Sequence, residues 1–243
     1  NLFADDLSVW TQTPRWGSSR FLLAQLSIAQ KRAHEWGRRH QVSFDPAKES
    51  FHVLHPTVGE GEHFRYLGVE IDCKMKMRGE IEKILEKCRP KSRALLRMQY
   101  FLSKAEIIAQ WKAHIWSHLE YGQGILEMAC KTQLARLDSF QRSFLNELEI
   151  SEETAFLEYN CAPPALRRRI GLLGFAHKVA LGDCHPRLPE LLPSTKEPSG
   201  TKVFKLFRES IIYYEDSLYC KSLFGALQFY NSIPSALRKS PSV

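Results

Sequence analysis

Two adjacent carboxylates, Asp5 and Asp6, stand within the apolar segment NLFADDLSVW at residues 1–10. Charged side chains in a strand-like segment are rare unless they meet a partner. Neighbouring carboxylates on a turn suit Mg²⁺, which prefers hard oxygen ligands and usually takes one or two carboxylates together with substrate phosphates. Two such ions about 4 Å apart activate an attacking hydroxyl and stabilise the leaving oxygen in nucleotidyl transfer. Taken alone, the pair is more typical of a solvated Asp-Asp turn.

The elements that would position these carboxylates lie in a mixed first segment, residues 1–72. Residues 2–12 predict two short strands with the aspartates at their junction. A helix is predicted over 19–38, where apolar residues recur at spacings of three and four. β-Prone residues predict further strands at these ranges: 42–44, 51–55 and 63–72. We therefore expect the first 72 residues to be α+β.

The remainder of the chain has helical periodicity. Apolar residues at helical spacing predict helices at these ranges: 79–89, 103–120, 132–148 and 163–182. The segment 185–200 contains four prolines and is typical of a linker. The tail, 201–243, mixes helix and strand signals. The whole chain is therefore predicted to be α+β and helix-rich.

The composition limits the classes to which the chain can belong. No apolar run approaches the about 18 residues of a membrane span, and no signal-peptide pattern is present. Six cysteines are scattered without a Cys-x-x-Cys pair, which favours free thiols over a zinc site. These features predict an intracellular protein without a membrane partner. They leave open whether it is cytoplasmic or nuclear, and they do not fix an oligomeric state.

The positive charge is concentrated in one stretch. Between Lys74 and Lys112 there are eleven basic and four acidic residues, so this stretch carries the whole surplus of +7. A solvated helix surface is one interpretation, and a surface facing nucleic-acid phosphates is the other. For the second interpretation the candidate nucleic-acid-binding residues are these: Lys83, Lys87, Lys91 and Arg93.

Three short motifs resemble, in order, boxes of the reverse transcriptases of non-LTR (LINE-type) retrotransposons. FADD at residues 3–6 is similar to the catalytic aspartate box. FDPAKE at 44–49 resembles the next box, in which these enzymes usually show an aromatic residue, Asn or Asp, Pro and Lys. YLGVEID at 66–72 is similar to the primer grip. The spacings of about 40 and 20 residues also follow the family, and order with spacing is more specific than any single box.

Later segments extend the resemblance over nearly all of the chain. WKAHIWSHLEYGQGI at 111–125 resembles a helical segment of the thumb in these polymerases. LARLDSFQRSFL at 134–145 and LRRRIGLLGF at 166–175 resemble helical elements that follow it. FYNSIPSAL at 229–237 is similar to the close of the open reading frame. These later elements carry no known chemistry.

The resemblance implies catalytic roles for three residues. Asp5 would be the main ligand of the catalytic Mg²⁺, with Asp6 beside it. Lys48 would lie near the departing pyrophosphate, where a cation neutralises or protonates the leaving group. A surface lysine in a turn is the alternative for Lys48. The implied partners of the intact polymerase are an RNA template, a DNA primer and a dNTP.

The resemblance also implies a role for Tyr66, Leu67 and Gly68, as the turn that positions the 3′ end of the primer. A glycine fits this place because a backbone approaches a ribose closely only where no Cβ stands in between. A half-buried hairpin glycine is the alternative for Gly68.

The family's architecture implies three regions in this chain. Residues 1–72 would be a partial palm, 73–150 a basic, helical, thumb-like region, and 151–243 a C-terminal helical region with the linker at 185–200. The expected fold is thus an incomplete palm remnant followed by a helical thumb and C-terminal helices.

We expect a fragment of an RNA-directed DNA polymerase. The family places a third carboxylate and the fingers before the FADD box, so the sequence as it stands predicts little or no activity alone. Two alternatives remain open. One is a non-catalytic nucleic-acid-binding remnant that uses the basic stretch, and the other is a helical interaction protein of transposon origin.

Overall fold

The computed structural model is mostly helical, as the helix-rich part of the prediction states. It describes these residues: 2–3, 6–9, 19–55, 59–186, 188, 195–196, 206–207 and 223–234. The chain divides into two compact units. The first unit comprises residues 1–66 and 71–75, and the second comprises 67–70 and 76–243. None of the described helices is long and apolar enough to cross a lipid bilayer.

The helices differ widely in length. In chain order they are α1 Ser19–Arg39, α2 Arg78–Arg97, α3 Lys104–Trp111, α4 Ser117–Glu120, α5 Gln123–Leu126, α6 Lys131–Glu147, α7 Glu152–Leu157, α8 Pro164–Leu181 and α9 Leu223–Ser232. The strands are β1 Leu2–Phe3, β2 Asp6–Leu7, β3 Phe64–Tyr66, β4 Val69–Ile71, β5 Thr195–Lys196 and β6 Leu206–Phe207. They pair two by two, β1 with β2, β3 with β4 and β5 with β6.

Helix α1 is the main element of the first unit, and it confirms the helix predicted over 19–38. Near its end, position 37 is a glycine for a steric reason. A Cβ on Gly37 would lie 2.6 Å from the carbonyl oxygen of Val42, so a larger residue would block the return of the chain. The amide of Val42 donates to the Gly37 carbonyl at 2.9 Å and closes this turn.

Two of the predicted strands in the first unit are wrong. Residues 42–44 have no strand conformation, and within 51–55 a single bridge joins Val53 to Glu60. Both segments have β-prone residues, but a strand is stable only when a neighbouring chain satisfies its amides and covers one face. The turn predicted between them is present as a 3₁₀ turn at Pro46–Lys48.

The segment 63–72 forms the predicted strand-rich hairpin. Strands β3 and β4 pair with a two-residue connection, Leu67-Gly68. Both connecting residues have positive φ, 47° at Leu67 and 86° at Gly68. Positive φ at both central positions matches the twist of antiparallel strands, and glycine adopts it without strain. The end of the hairpin, 67–70, belongs to the second unit.

Helix α2 is longer than the helix predicted over 79–89, because it continues past Pro90 to Arg97. Proline removes one amide donor and usually ends or bends a helix. Here the buried side chains on both sides of Pro90 keep one face of α2 against its neighbours. They are Ile81, Ile84, Leu85, Cys88, Ser92 and Leu95.

The helix predicted over 103–120 is present with an irregular centre. Helix α3 passes into a π-helical segment, Lys112–Trp116, and then into α4. Its start is fixed by a capping box, in which the Ser103 hydroxyl accepts from the Glu106 amide at 3.3 Å and the Glu106 carboxylate accepts from the Ser103 amide at 2.8 Å.

The core of the second unit lies between α2, α3 and α6. Trp111 is fully buried, and its ring stacks on Phe144 with centroids 3.9 Å apart. Ile81 from α2 and Leu137 from α6 are also fully buried. Helix α6 confirms the helix predicted over 132–148, and its buried face includes Leu134, Leu137, Phe144 and Leu145.

Helix α8 confirms the helix predicted over 163–182. Pro164 opens it, where a missing amide costs nothing, and Gly182 ends it with φ 78°. Helix α9 packs on α8, with the buried His177 and Tyr230 side chains 2.8 Å apart between Nδ1 and Oη. The five cysteines in the described part of the chain are free thiols, as predicted.

Candidate nucleic-acid interface

The FADD box overlaps the β1–β2 pair, in which Asp6 begins β2. The backbone of Asp6 pairs with that of Phe3, and Leu2 pairs with Leu7. Asp5 and the side chain of Asp6 lie outside the described residues. Within the described residues, no group of three or more His, Cys, Asp and Glu side chains is arranged to hold a metal ion. The predicted Mg²⁺ ligands therefore stay a prediction.

Lys48 lies at the end of the 3₁₀ turn of the FDPAKE motif. The Asp45 carboxylate accepts from the Ala47 amide at 3.0 Å, and Pro46 fixes the first position of the turn. The Lys48 amide donates to the Asp45 carbonyl at 3.0 Å, while its side chain is exposed. An Asp-Pro start therefore holds the backbone in place and leaves the lysine side chain extended into solvent.

The end of the β3–β4 hairpin is held by a tyrosine from a distant part of the second unit. Tyr121 Oη donates to the Leu67 carbonyl at 2.5 Å across 54 residues of sequence. Gly68 lies under the same ring, since a Cβ there would be 3.2 Å from Tyr121 Oη. Tyr66 is partly buried beside them. The predicted primer-grip residues are therefore brought together, and their turn has a fixed conformation.

Tyr121 belongs to a sharp corner, residues 120–122, that follows α4. Gly122 has φ 68°, and a Cβ on it would lie 2.6 Å from Val69 Cγ2. Glu120 pairs with Arg167, whose guanidinium lies 3.5 Å over the Trp116 ring. The corner therefore connects the hairpin end on one side with helix α8 on the other.

A second contact fixes the hairpin end from helix α2. The Glu80 carboxylate accepts from the Glu70 amide at 2.8 Å. The Glu70 carboxylate in turn pairs with Lys83. Lys83, a predicted nucleic-acid-binding residue, is therefore partly neutralised within the protein.

The basic residues of α2 form two stripes rather than one face. Lys83, Lys87 and Lys91 follow one another at four-residue spacing along one side. Arg93 lies about 120° around the helix from Lys87, as the 3.6-residue period requires. It belongs to a second stripe with Arg89 and Arg97. The structure thus brings three of the four predicted residues together and separates Arg93 from them.

Two residues of the first stripe have internal partners. Besides the pair of Lys83 with Glu70, Lys91 Nζ lies 3.3 Å from the His114 carbonyl oxygen and 2.5 Å from His118 Nε2. Burial lowers the pKa of His118, and the charges of Lys91 and Lys87 lower it further. His118 is therefore a neutral acceptor near pH 7, and Lys87 is the member of the stripe that extends into solvent.

A groove of about 470 Å³ lies between α2 and α6. Its lining includes two guanidiniums, of Arg89 and Arg136, and the hydroxyl of Ser139. Both arginines bind the Glu82 carboxylate, with Arg89 Nη1 at 3.0 Å, and their hydrogen bonds lower its pKa. The Glu82 carboxylate of the same chain thus already pairs with both arginines of this groove.

One charged residue that sequence reasoning missed is Arg168, which is buried. Its guanidinium donates to Glu127 at 3.0 Å and to Asp138 at 3.2 Å. In the run of three arginines, 167–169, helical spacing sends each one to a different side. Arg167 lies over Trp116, Arg168 enters the core and Arg169 is exposed.

No protein-family model, no curated protein and no solved structure matches this chain.

Proposed function

We propose that this chain is the C-terminal part of a reverse transcriptase of the non-LTR retrotransposon type, and that its second unit binds nucleic acid through helix α2. The main observation in support of this proposal is that three segments resembling this family meet at the corner 120–122. Tyr121 binds the hairpin of the YLG motif, and Glu120 binds Arg167 of the LRRR motif. Segments that resemble one family and also pack together support the proposal more strongly than separate motifs do.

The roles proposed for the remaining motif residues follow the resemblance. Asp5 and Asp6 would hold Mg²⁺, which would supply positive charge at the reacting phosphate of a dNTP. Lys48 extends from a fixed turn, and its exposed side chain is free to approach a leaving group. Tyr66, Leu67 and Gly68 support the DNA primer paired to its RNA template.

Phosphate binding is proposed for the exposed cations of α2. Lys87 and Arg93 are exposed, and neither pairs with an acidic residue among those described. Contacts of this kind neutralise phosphates and carry no base information, so binding is expected to be independent of sequence. Release of counterions makes such binding steeply salt-dependent.

The test measures binding of an RNA–DNA hybrid duplex by fluorescence anisotropy across a salt series. The variant Lys87→Gln/Arg93→Gln is expected to weaken binding to every sequence alike and to flatten the log–log slope by roughly one to two units. Substitution of Lys83 and Lys91 is a less clear test, because each also holds an internal contact. Including both gives the four-site variant, whose effect is expected to be larger.

A matched control removes the same charge elsewhere. Arg169→Gln/Lys178→Gln lowers the net charge by two at exposed positions of α8 and is expected to leave binding and slope near those of the parent. Equal effects of the two variants would contradict a site on α2. Unchanged binding in the four-site variant would instead favour a helical interaction protein.

A non-catalytic nucleic-acid-binding remnant is the second candidate. It is favoured by one observation, that the basic stripes lie wholly on a helix of the well-packed second unit. Under both candidates Asp5→Asn/Asp6→Asn leaves duplex binding unchanged. The chain alone is expected to show little or no primer extension under either candidate. In the intact parent polymerase, Mg²⁺-dependent primer extension on an RNA template is expected, and Asp5→Asn/Asp6→Asn is expected to abolish it.

A further inference from the structure

The most exposed large apolar side chains of the described residues stand next to each other in the turn between α2 and α3. Tyr100 is 83% exposed and Phe101 is 86% exposed. They follow directly on α2, within a 3₁₀ turn at Met98–Tyr100. We call residues 98–101 the aromatic turn. Aromatic side chains of this size are normally buried, so their exposure is typical of a binding surface.

The backbone of the aromatic turn is held at both ends. The amides of Phe101 and Leu102 both donate to the Met98 carbonyl at 2.9 Å. The capping box of Ser103 and Glu106 begins α3 directly afterwards. The hydrogen bonds from Ser103 lower the pKa of Glu106, so the Glu106 carboxylate stays charged and bound to Ser103. The two rings are therefore presented by a fixed support rather than by a loose loop.

The surroundings of the rings are basic. Arg93 and Arg97 lie two turns and one turn before them on the second stripe of α2, and Lys104 follows them. Among the described residues, neither arginine pairs with a carboxylate. The nearest carboxylate in sequence, Glu106, is held in the cap. Two accessible rings thus follow two exposed arginines, Arg93 and Arg97, whereas Arg89 of the same stripe pairs with Glu82.

We propose that the aromatic turn is a stacking site for unpaired bases of single-stranded nucleic acid, with Tyr100 and Phe101 under the bases and Arg93 and Arg97 on the phosphates. This inference deepens the nucleic-acid binding proposed above and rests on it. Proteins that bind single strands combine a basic track with exposed aromatic rings in this way.

The chemistry favours a single strand over the other occupants. Bases within a duplex are already stacked on one another and do not offer a free face. An apolar protein partner would gain little from the cations beside the rings, whereas a polyanion gains from each of them. Stacking on an aromatic ring is also tolerant of sequence, as the phosphate contacts are.

The experiment compares two short oligonucleotides of equal length, an oligo-uridine and its abasic analogue, by fluorescence anisotropy. The phosphates are the same in both, so the difference in affinity measures the contribution of the bases. The parent chain is expected to bind the oligo-uridine at least roughly fivefold more tightly for each stacked base. Tyr100→Ala/Phe101→Ala is expected to remove this preference and to keep the affinity for the abasic strand.

Two further variants separate stacking from charge and from general adhesion. Tyr100→Trp/Phe101→Trp keeps the ring faces and is expected to keep or increase the preference for bases. Phe156→Ala/Leu157→Ala removes two exposed apolar side chains from α7 and is expected to leave the preference for bases unchanged. Arg93→Gln/Arg97→Gln is expected to weaken both oligonucleotides equally and to flatten the salt slope by roughly one unit.

The outcomes distinguish this inference from the proposed function. A parent that binds hybrid duplex but shows no preference for bases over the abasic strand overturns the stacking site alone. So does a preference that survives Tyr100→Ala/Phe101→Ala, or one that the α7 variant reduces equally. A parent that binds neither duplex nor single strand overturns both proposals.

Discussion

The two units differ in how their helices bury apolar side chains. In the second unit, Trp111 and Ile81 are fully buried between helices. In the first unit, α1 has an amphipathic pattern of similar strength, yet Leu22, Leu26, Ala29 and Ala33 on its apolar stripe are only partly buried, and Trp36 is 50% exposed. Along the described part of α1, Gly37 alone is buried. An apolar stripe therefore predicts a helix, but burial depends on the elements around it.

The difference in burial between the two units bears on the proposed function. The FADD and FDPAKE motifs, which would carry catalysis, lie in the unit with little described core of its own. The basic stripes and the aromatic turn lie in the unit with a continuous core. We infer that binding surfaces in this chain rest on a stable helical support, and that the catalytic motifs depend more on local turns such as Asp45–Lys48.

The largest expected effect is the loss of a buried ring from the second unit. Trp111→Ala removes the stack on Phe144 and is expected to cost about 3–5 kcal/mol of the free energy of unfolding of that unit. The matched change in α1, Ile28→Ala, is expected to cost under about 1 kcal/mol because the side chain is half exposed. Hydrogen exchange with mass spectrometry, reporting on peptides from each unit, measures both. Equal losses would contradict the contrast between the units.

A glycine at the corner is expected to show the next largest effect. Gly122→Ala forces an alanine to φ 68° and places its Cβ 2.6 Å from Val69, so a loss of about 2–3 kcal/mol is expected. The amides of 67–70 should then exchange faster. Gly124→Ala is the control, since no atom lies within 4 Å of the added Cβ and the helix gains a better helix former. A neutral Gly122→Ala would show that the corner does not hold the hairpin.

A smaller effect is expected from caps, with one example in each unit. Ser103→Ala breaks the capping box of α3 and is expected to cost about 1 kcal/mol. Asp45→Ala removes one hydrogen bond from an exposed 3₁₀ turn and is expected to cost less in global stability. Urea unfolding of both variants gives the comparison. An Asp45 variant that unfolds the first unit would show that this turn, rather than α1, is its main support.

The smallest effect is expected from histidines, again one in each unit. Burial is the main cause that lowers the pKa of His52 in the first unit and of His118 in the second. A lowered pKa means that the unfolded chain binds protons more readily, so each histidine contributes stability above its ordinary pKa of about 6.5. This contribution is lost as the pH falls through the lowered value. His52→Gln and His118→Gln should each reduce the acid sensitivity of their own unit in a pH series of unfolding curves.

Helical periodicity predicted most of the helices of the second unit, because the apolar face of each helix is buried against its neighbours. The strands at 42–44 and 51–55 failed for the opposite reason, since β-propensity expresses itself where a partner strand is available. The helix predicted over 79–89 stopped one residue before Pro90, whereas α2 continues to Arg97. Burial of Ser92 and Leu95 stabilises the helix beyond the proline.

The parts of the candidate site that depend only on residue spacing along one helix could be predicted from the sequence. The 3.6-residue period already separates Arg93 from Lys87, and applying it to the whole of α2 would have shown the two stripes. The bond between Tyr121 and Leu67 could not be found in this way, because it joins residues 54 positions apart. Nor does the sequence indicate which arginine of 167–169 enters the core, since that depends on where Glu127 and Asp138 lie.

The π-helical segment Lys112–Trp116 has a consequence for chain length. A π turn contains one more residue than the α-helical turn it replaces, so it acts as a single-residue insertion in a continuous helix. Deleting the exposed Ala113 would therefore restore α geometry throughout and keep Trp111 and Leu119 on the same buried face, because the π turn already absorbs the extra residue. A deletion within the regular turns of α3 has no such outlet and would turn the residues that follow by about 100°. The helix is therefore expected to tolerate the loss of one residue at 112–116 better than a loss elsewhere along its length.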